Sequence, residues 1–531
     1  MRKRFEWRPS ANVFVFVLLI TAGNLALYQK PFWSSAVSVA ALPQNQGWLQ
    51  LLSLQISQVF LLTCVLLLLS TLSIILVKLV ASVLAMMNAT ALYFMLNFNV
   101  ALDSAMIASI LNTNAQEAFG TLSVSIIGYL FVFGLLPTIL IWWTKVRRGT
   151  RIKQYLTSIA TLVTLVFWLF PTSADWLWYD EQKTELTSKI LPWSYVVNTA
   201  KYFKRTALDV RAQTLLPRAQ FKTKLPARKQ IVVLMIGESA RAENFALYGY
   251  NKDTNPFTAS TSIVALPVGL SCATNTIASI ACILSHAGSK ASAKTRQEPL
   301  PSYLTRHGVE TIFRTNTAGP PPVIVTTFER PNDILLNCDT SGCPDRKMDA
   351  ALNWKLADIL KASTSNRIFL TIHHNGSHGP AYFERYPAGF EHFRPECKIV
   401  EFLNCTQEEV LNAYDNSIRY TDFVLADLIA QLKLVDADTV MIYTSDHGES
   451  FGENGFYVHG TPKAIAPKQQ REVPFLVWMS DGFKQRRGLS DADIIPPETF
   501  PHDFPFHSVM GAFGMRSEIY KPEYDIFNLK H

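Results

Sequence analysis

Three short segments carry carboxylates and imidazoles to the ends of apolar runs. Gly237-Glu238-Ser239 follows Ile231–Ile236, and His374-Asn375-Gly376-Ser377-His378-Gly379 follows Arg367–His373. Ser445-Asp446-His447-Gly448-Glu449 follows Thr439–Thr444, and Tyr457-Val458-His459-Gly460 comes shortly after. Glu238, Asp446 and His447 offer two hard oxygens and one borderline nitrogen. That donor set suits Zn2+, with Mn2+ as the alternative, whereas Ca2+ or Mg2+ would more often take oxygen alone. A hydrogen-bonded loop pair would explain Asp446-His447 by itself, but not a second carboxylate at the end of another run. His378 and His459, each beside a glycine, are expected to join this site rather than to be packed loop histidines. All 11 His lie after residue 285, so imidazole chemistry belongs to the C-terminal part of the chain.

A nucleophile is available nearby in sequence. Ser271-Cys272-Ala273-Thr274-Asn275-Thr276 runs into a helix-like apolar stretch ending at Cys282. A hydroxyl at a helix N-terminus faces unpaired N–H groups and the positive end of the dipole, which favours an alkoxide and a phosphate together. With a metal as neighbour, an otherwise poor Ser or Thr nucleophile becomes usable. The residues leave Thr274 and Thr276 as equal candidates, and either can instead be no more than the helix cap.

The elements that must position these groups follow from the pattern around them. Ile231–Ile236, Thr311–Arg314, Arg367–His373, Thr439–Thr444 and Val473–Met479 are nearly all apolar rather than alternating, as expected of parallel strands buried on both faces. Helical stretches lie between them. The clearest starts at the capping box Thr406-Gln-Glu-Glu409 and continues through Tyr420, Phe423, Val424, Leu428 and Leu432. The alternation predicts an α/β domain with a central, mostly parallel sheet over 229–531. Ligands of such sheets bind beyond the carboxyl ends of the strands, where the segments above fall.

The first 173 residues obey different rules. They hold 11 Lys and Arg against 3 Asp and Glu, while the remainder of the chain holds 38 against 39. The net charge of +7 is therefore a feature of the apolar part, which excludes a basic nucleic-acid surface. No charged residue occurs between Lys30 and Lys78, or between Lys78 and Asp103. At about 20 residues per crossing, five transmembrane helices are expected near Ala11–Tyr28, Trp48–Ser70, Ile74–Phe98, Thr121–Trp143 and Tyr155–Phe170. The first is read as a retained helix, being long for a signal peptide and followed by four more. Arg2, Lys3, Arg4 and Arg8, and Lys145 to Lys153, place both flanks in the cytoplasm and everything after 173 on the far side. Residues 174–228, with Trp176, Trp178, Tyr179, Trp193, Tyr195 and Tyr202 among Lys and Arg, form a linker suited to the membrane interface, or a connector packed on the soluble domain.

Cysteine usage agrees with export. Cys64 lies in a span, and six Cys lie beyond 173 in close pairs without C-x-x-C spacing. Three small loops closed by Cys272–Cys282, Cys338–Cys343 and Cys397–Cys405 are expected, in an oxidising compartment.

Taken together, the motifs Gly-Glu-Ser-Ala-Arg (237–241), Ser-Cys-x-Thr-x-Thr (271–276), His-Gly-Pro (378–380), Tyr-Asp-Asn-Ser-Ile (414–418) and Ser-Asp-His-Gly-Glu (445–449) resemble, in order, those of the lipid A and lipooligosaccharide phosphoethanolamine transferases. That family, which includes the mobile colistin-resistance (polymyxin-resistance) enzymes, lies in the alkaline phosphatase–sulfatase superfamily. The resemblance covers nearly the whole chain. It implies a multi-pass protein of the bacterial inner membrane with a periplasmic catalytic domain, phosphatidylethanolamine as donor, and lipid A or a lipopolysaccharide core sugar as acceptor. It also implies Thr276 as nucleophile at a Zn2+ held with Glu238, Asp446 and His447, and His378 and His459 as further active-site histidines. A stretch from Met106-Ile107 through Thr113 and Glu117 resembles the donor-contacting segment, with Ser109 where the family has Asn. A second departure follows Arg314: no Lys occurs from Thr295 to Arg346, where lipid A-directed members have one. A membrane phosphoglycerol transferase or sulfatase of the same superfamily, and a metal-binding envelope protein without turnover, are the alternative readings. Six soluble Cys and the Thr-x-Thr segment disfavour the first, and an intact nucleophile beside a full ligand set disfavours the second.

Overall fold

The computed structural model describes residues 8–39, 45–102, 104–113, 123–169, 186–208, 213–291, 297–317, 322–336, 338, 342–400, 402–495 and 500–529. The chain forms two compact units, Met1–Ile107 with Ser123–Tyr202, and Ala108–Leu122 with Phe203–His531.

The first unit is helical. Among the described residues Leu51–Leu72, Ile74–Phe98, Val124–Trp143 and Arg151–Leu169 are each long and apolar enough to cross a membrane, and the bent pair Val13–Tyr28 with Lys30–Ala36 makes a fifth when counted as one span. That pair bends by 56°, and the break falls just past Tyr28, where the sequence ends the first span. Its cause is Pro31, which has no N–H to give the Leu27 carbonyl and whose ring crowds it. Ser73 separates two spans by capping the second, its hydroxyl accepting from the Ile75 N–H at 3.2 Å. In Val124–Trp143 the segment Leu130–Leu135 widens to a π-helix just before Pro137. Proline leaves the carbonyl of Phe133 without its helical donor, and Tyr28 Oη supplies one at 2.6 Å. Strands Ser10–Asn12 and Lys145–Arg147 pair in parallel, which brings the chain just after Arg8 beside the basic 145–153 segment. Trp193–Leu208 is an amphipathic helix whose Tyr195 hydroxyl donates to Asn88 Oδ1 at 2.9 Å. Trp176, Trp178 and Tyr179 lie outside the described residues.

The second unit is built on a seven-stranded sheet. Its strands are β1 (Gln230–Gly237), β2 (Val264–Ala265), β3 (Glu310–Thr315), β4 (Thr327–Glu329), β5 (Arg367–His373), β6 (Asp438–Ser445) and β7 (Phe475–Met479). They lie in the order β2-β7-β6-β1-β5-β3-β4. The five from β6 to β4 are parallel, while at one edge β7 runs antiparallel to β6 and β2 antiparallel to β7. β1 and β6 are buried along their whole length, which is why their sequences do not alternate. The run Val473–Met479 is not one parallel strand. Pro474 cannot donate to a ladder, so Glu472–Val473 pairs instead with Gly269–Leu270 in a small second sheet, and only Phe475–Met479 joins the main one. Disulfides Cys272–Cys282, Cys338–Cys343 and Cys397–Cys405 close three short loops, and Cys64 is buried and free.

The helix Gln407–Lys433 buries Tyr414, Ile418, Val424, Leu425 and Leu428, and starts at Thr406. The Thr406 N–H donates to Glu409 Oε2 at 2.7 Å, and the Glu409 N–H donates back to Thr406 Oγ1 at 3.3 Å. Thr406→Ala should cost about 1 kcal/mol, or roughly 2–4 °C in the thermal midpoint of a unit this size, while Thr406→Ser keeps the midpoint; differential scanning calorimetry of the two variants reads the difference.

Candidate metal centre

The register of two strands decides where the site forms. β1 and β6 pair in parallel with Gly237 opposite Ser445, so Glu238 and Asp446 leave the sheet side by side. Just past Glu238 the backbone turns through a left-handed residue, Ser239, at φ 56°. Three contacts hold it there. Its carbonyl accepts from Tyr414 Oη at 2.7 Å, its N–H donates to Asp446 Oδ1 at 3.2 Å, and the next N–H, of Ala240, donates to Ser445 Oγ at 2.9 Å. On the other side, β5 delivers Gly376 against the Glu238 backbone. A Cβ there would sit 2.6 Å from the Glu238 carbonyl oxygen, and φ is +51°, so glycine is required. Asp349 fixes that turn by accepting from the N–H groups of Asn375 and Gly376 at 2.9 and 2.8 Å.

Thr276 arrives from the helix Thr276–Ile283, whose N-cap is Asn275: its Oδ1 accepts from the Ala278 N–H at 3.1 Å. The Cys272–Cys282 disulfide ties the approach segment to that helix. Thr276 Oγ1 donates to Glu238 Oε2 at 3.0 Å and lies 3.4 Å from His447 Nε2. Thr274 points elsewhere: its hydroxyl donates to the Thr461 carbonyl at 2.5 Å. Tertiary contacts thus separate two threonines that the sequence left equal.

His447 Nδ1 lies 2.9 Å from the Gly448 carbonyl, which can only accept, so this nitrogen carries the proton. Its Nε2 lone pair then faces Glu238 Oε1 at 3.3 Å and Asp446 Oδ2 at 3.2 Å. Asp446 Oδ2 is buried and has no hydrogen-bond partner among the described residues. One ligand atom from each of Glu238, Asp446 and His447 falls within 4.8 Å of the others, and all three residues are buried. A lone pair and carboxylate oxygens at this range repel unless a cation or protons lie between them. Burial first, and then the charge of Asp446, pushes Glu238 up to about 8; burial pushes Asp446 up to about 7 and His447 below its ordinary value. The donor set, the orphaned oxygen and the fixed tautomer all fit a divalent metal.

Two more imidazoles flank this cluster. The His459 ring centre lies 4.5 Å from that of His447 and 5.0 Å from that of His378. Burial alone would discharge His459. The buried Glu449 carboxylate, 3.3 Å from Nδ1, together with Glu238 and Asp446, instead raises it to about 9. His378 is pushed well below its ordinary value by burial and by the neighbouring His459. One of the pair therefore carries a proton at neutral pH and the other does not. Glu449 and Tyr414 were visible within sequence motifs, but nothing in the chain order shows what they touch. Of the proposed donor contacts, Thr113 follows the short helix Ser104–Asn112, and Glu117 lies outside the described residues.

The family model Sulfatase matches residues 230–515, and that of phosphoethanolamine transferase EptA/EptB matches residues 59–207. The chain is 35% identical over 458 residues to phosphoethanolamine transferase EptA of Helicobacter pylori, covering 85% of each chain. It is 28% identical over 549 residues to EptA of Salmonella typhimurium, covering 99% of this chain and 98% of that one. The solved structure of the integral membrane protein lipooligosaccharide phosphoethanolamine transferase A from Neisseria meningitidis superposes with a TM-score of 0.87 at 25% identity, covering 98% of both chains.

The proton-laden carboxylates make a pH prediction with a definite sign. Without metal, Glu238 and Asp446 keep their protons up to about 8 and about 7 in the fold, whereas in the unfolded chain they lose them near 4. Between those limits the folded state binds more protons, so its stability falls as pH rises. A metal must displace the same protons, so its affinity grows through the same window. Thermal shifts of chelator-treated protein on adding Zn2+ should be larger at pH 8 than at pH 5, and absent in Asp446→Ala. Equal shifts at the two pH values would contradict this assignment.

Proposed function

This chain belongs to the phosphoethanolamine transferase family, and from that premise we propose that it moves phosphoethanolamine from phosphatidylethanolamine to a cell-envelope glycolipid. The acceptor is lipid A or a lipopolysaccharide or lipooligosaccharide core sugar, and the route is a double displacement through phospho-Thr276. In this reading residues 1–173 are the inner-membrane domain, 174–228 the interfacial bridge and 229–531 the periplasmic catalytic domain. The observation that carries it is the Thr276 hydroxyl, which stands at a helix N-terminus and donates directly into the buried cluster at Glu238.

Glu238, Asp446 and His447, with Thr276 Oγ1 as fourth ligand, form a set that takes Zn2+. Such an ion, when bound, supplies charge neutralisation for phosphoryl oxygens and acidifies a hydroxyl. The remaining work belongs to side chains. Thr276 Oγ1 attacks the donor phosphorus, and its proton has an acceptor at 3.0 Å in Glu238 Oε2. As the phosphorus–oxygen bond to glycerol breaks, the departing alkoxide takes a proton from His459, which Glu449 keeps charged. Diacylglycerol leaves. The acceptor oxygen then attacks the phosphothreonine, Thr276 Oγ1 departs and recovers its proton, and His459, now neutral, takes one from an acceptor hydroxyl. Positioning and electrostatics dominate phosphoryl transfer, so this set is sufficient.

Thr276→Ala should abolish diacylglycerol release from phosphatidylethanolamine even without acceptor, and Thr276→Ser should keep part of it. Thr274→Ala, which breaks only a tie to the Thr461 carbonyl, should keep most. Mass spectrometry should find a phosphoethanolamine increment on the Cys272–Cys282 peptide of the wild type. An increment that survives Thr276→Ala would refute the mechanism. In cells, loss of the protein should remove phosphoethanolamine from an envelope glycolipid, and the modified fragment identifies the acceptor.

A further inference from the structure

At its cytoplasmic end the helical unit carries charge of one sign. Of the three acidic residues before position 173, Asp103 and Glu117 lie between Ile74–Phe98 and Val124–Trp143, across the membrane, and Glu6 lies outside the described residues. The described residues of the near side include Arg8, Lys78 and the five cations of 145–153. Orientation alone accounts for that sign. It does not account for the shape of the surface that bears it.

A cavity of about 330 Å3 opens there, within the size range of small-molecule sites. Its walls come from helix ends. Asn12 and Val13 stand where Val13–Tyr28 begins, Leu67 five residues before Leu51–Leu72 stops, and Gln154 in the first turn of Arg151–Leu169. Five residues of helix rise about 8 Å, which is about the thickness of the headgroup layer on one side of a bilayer. The chemistry of the cavity is divided. Val13 and Leu67, 5% and 1% exposed, give it an apolar floor, while Arg147 and Lys153, both exposed, line its open side. Arg147 is held there by pairing in register with Asn12, and Lys153 by the capped start of its helix, where its N–H donates to Thr150 Oγ1 at 3.3 Å. No carboxylate lines the cavity.

Two cations above an apolar floor fit an amphiphile with an anionic head. Free phosphate would gain nothing from Val13 and Leu67, and an uncharged chain nothing from Arg147 and Lys153. A zwitterionic head brings an ammonium that no carboxylate in the lining can receive and that both cations repel. A lipid of net negative charge meets every part of the lining, since basic pockets between spans on the cytoplasmic side suit anionic heads. We propose that this cavity binds an acidic glycerophospholipid of the cytoplasmic leaflet, its phosphate against Arg147 and Lys153 and the first carbons of its glycerol esters against Val13 and Leu67. The inference rests on the orientation of the spans and not on transfer chemistry.

The test is photocrosslinking of the full-length protein in phosphatidylcholine vesicles that contain phosphatidylglycerol with a diazirine close to one ester. Phosphatidylglycerol is not the proposed donor, so labelling succeeds or fails independently of transfer. We expect adducts on Asn12–Phe14 and Leu67 in several-fold excess over Leu72 and Ile75, which are 69% and 54% exposed at the same end of the spans. Unlabelled phosphatidylglycerol should compete several-fold better than phosphatidylethanolamine, and inorganic phosphate should not compete; neither comparison depends on a variant. Arg147→Gln with Lys153→Gln should cut the adducts several-fold. Lys145→Gln with Arg148→Gln removes the same charge from residues outside the lining and should leave them unchanged. Equal loss in the two double variants would mean diffuse attraction to a basic surface and would overturn the proposal. So would equal labelling of Leu67 and Leu72, or competition by phosphatidylethanolamine or inorganic phosphate that matches phosphatidylglycerol.

Discussion

Glu238, Asp446 and His447 are acceptor groups forced together out of water, and left to themselves they would separate. Carboxylates this deeply buried resist ionisation, as the upward displacement of Glu238 and Asp446 shows. The structure opposes their separation with rigid parts. Register between β1 and β6 sets the spacing of two ligands, Gly376 closes on the backbone of Glu238, and Tyr414 pins Ser239 in a left-handed conformation. A left-handed non-glycine residue costs of the order of 1–3 kcal/mol. Tyr414 itself comes from a 27-residue helix, so a long packed element supports one turn of chain. The arrangement is preorganised for a cation, and the same preorganisation positions Thr276.

The helical unit solves a different problem, because hydrocarbon offers no replacement for a lost hydrogen bond. Two carbonyls that lose their helical donors are met by side chains. The π-helical turn before Pro137 is met by Tyr28, and the end of the same helix is met by Lys78, whose Nζ donates to the Thr144 carbonyl at 2.7 Å. Lys78 interrupts an apolar run in sequence, yet it does not contradict a span. Its charge sits at the helix end shared with the basic 145–153 segment, lying over the rings of Phe16 and Trp142.

Much of the site was legible in the sequence because parallel strands buried on both faces announce themselves as apolar runs, and the chemistry follows their carboxyl ends. Glu238, Asp446 and His447 could be grouped on that basis alone. Legibility failed where one residue overrides a pattern or where contacts are non-local. Pro474 splits a run that reads as one strand, and the bent continuation Lys30–Ala36 lies beyond the span expected to end at Tyr28. Thr274 and Thr276 are separated by their distant partners, the Thr461 carbonyl and the Glu238 carboxylate. Glu449 stands two residues after His447, and only the fold shows it against His459.

In the mechanism proposed above, the pairing of Glu449 with His459 would let one site serve two substrates in turn. In double displacement the group that protonates the first leaving oxygen must afterwards receive a proton from the second nucleophile, and water must not be that nucleophile. An imidazole raised to about 9 by a buried carboxylate gives its proton readily to an alkoxide, a far stronger base, and then stands neutral and ready to accept. His378, which burial keeps uncharged beside it, does not compete for that proton. Strand-end cations are not free to assist here: Arg314 is 1% exposed, its Nε donating to Glu329 at 2.8 Å and its terminal nitrogen to the Leu352 carbonyl at 2.7 Å. No lysine stands between Thr295 and Arg346, where the other cations are arginines, and of these Arg306 is tied to Glu298 at 2.7 Å. In the proposed mechanism a hydroxyl acceptor would be deprotonated by His459 once its own proton has gone to the first leaving oxygen.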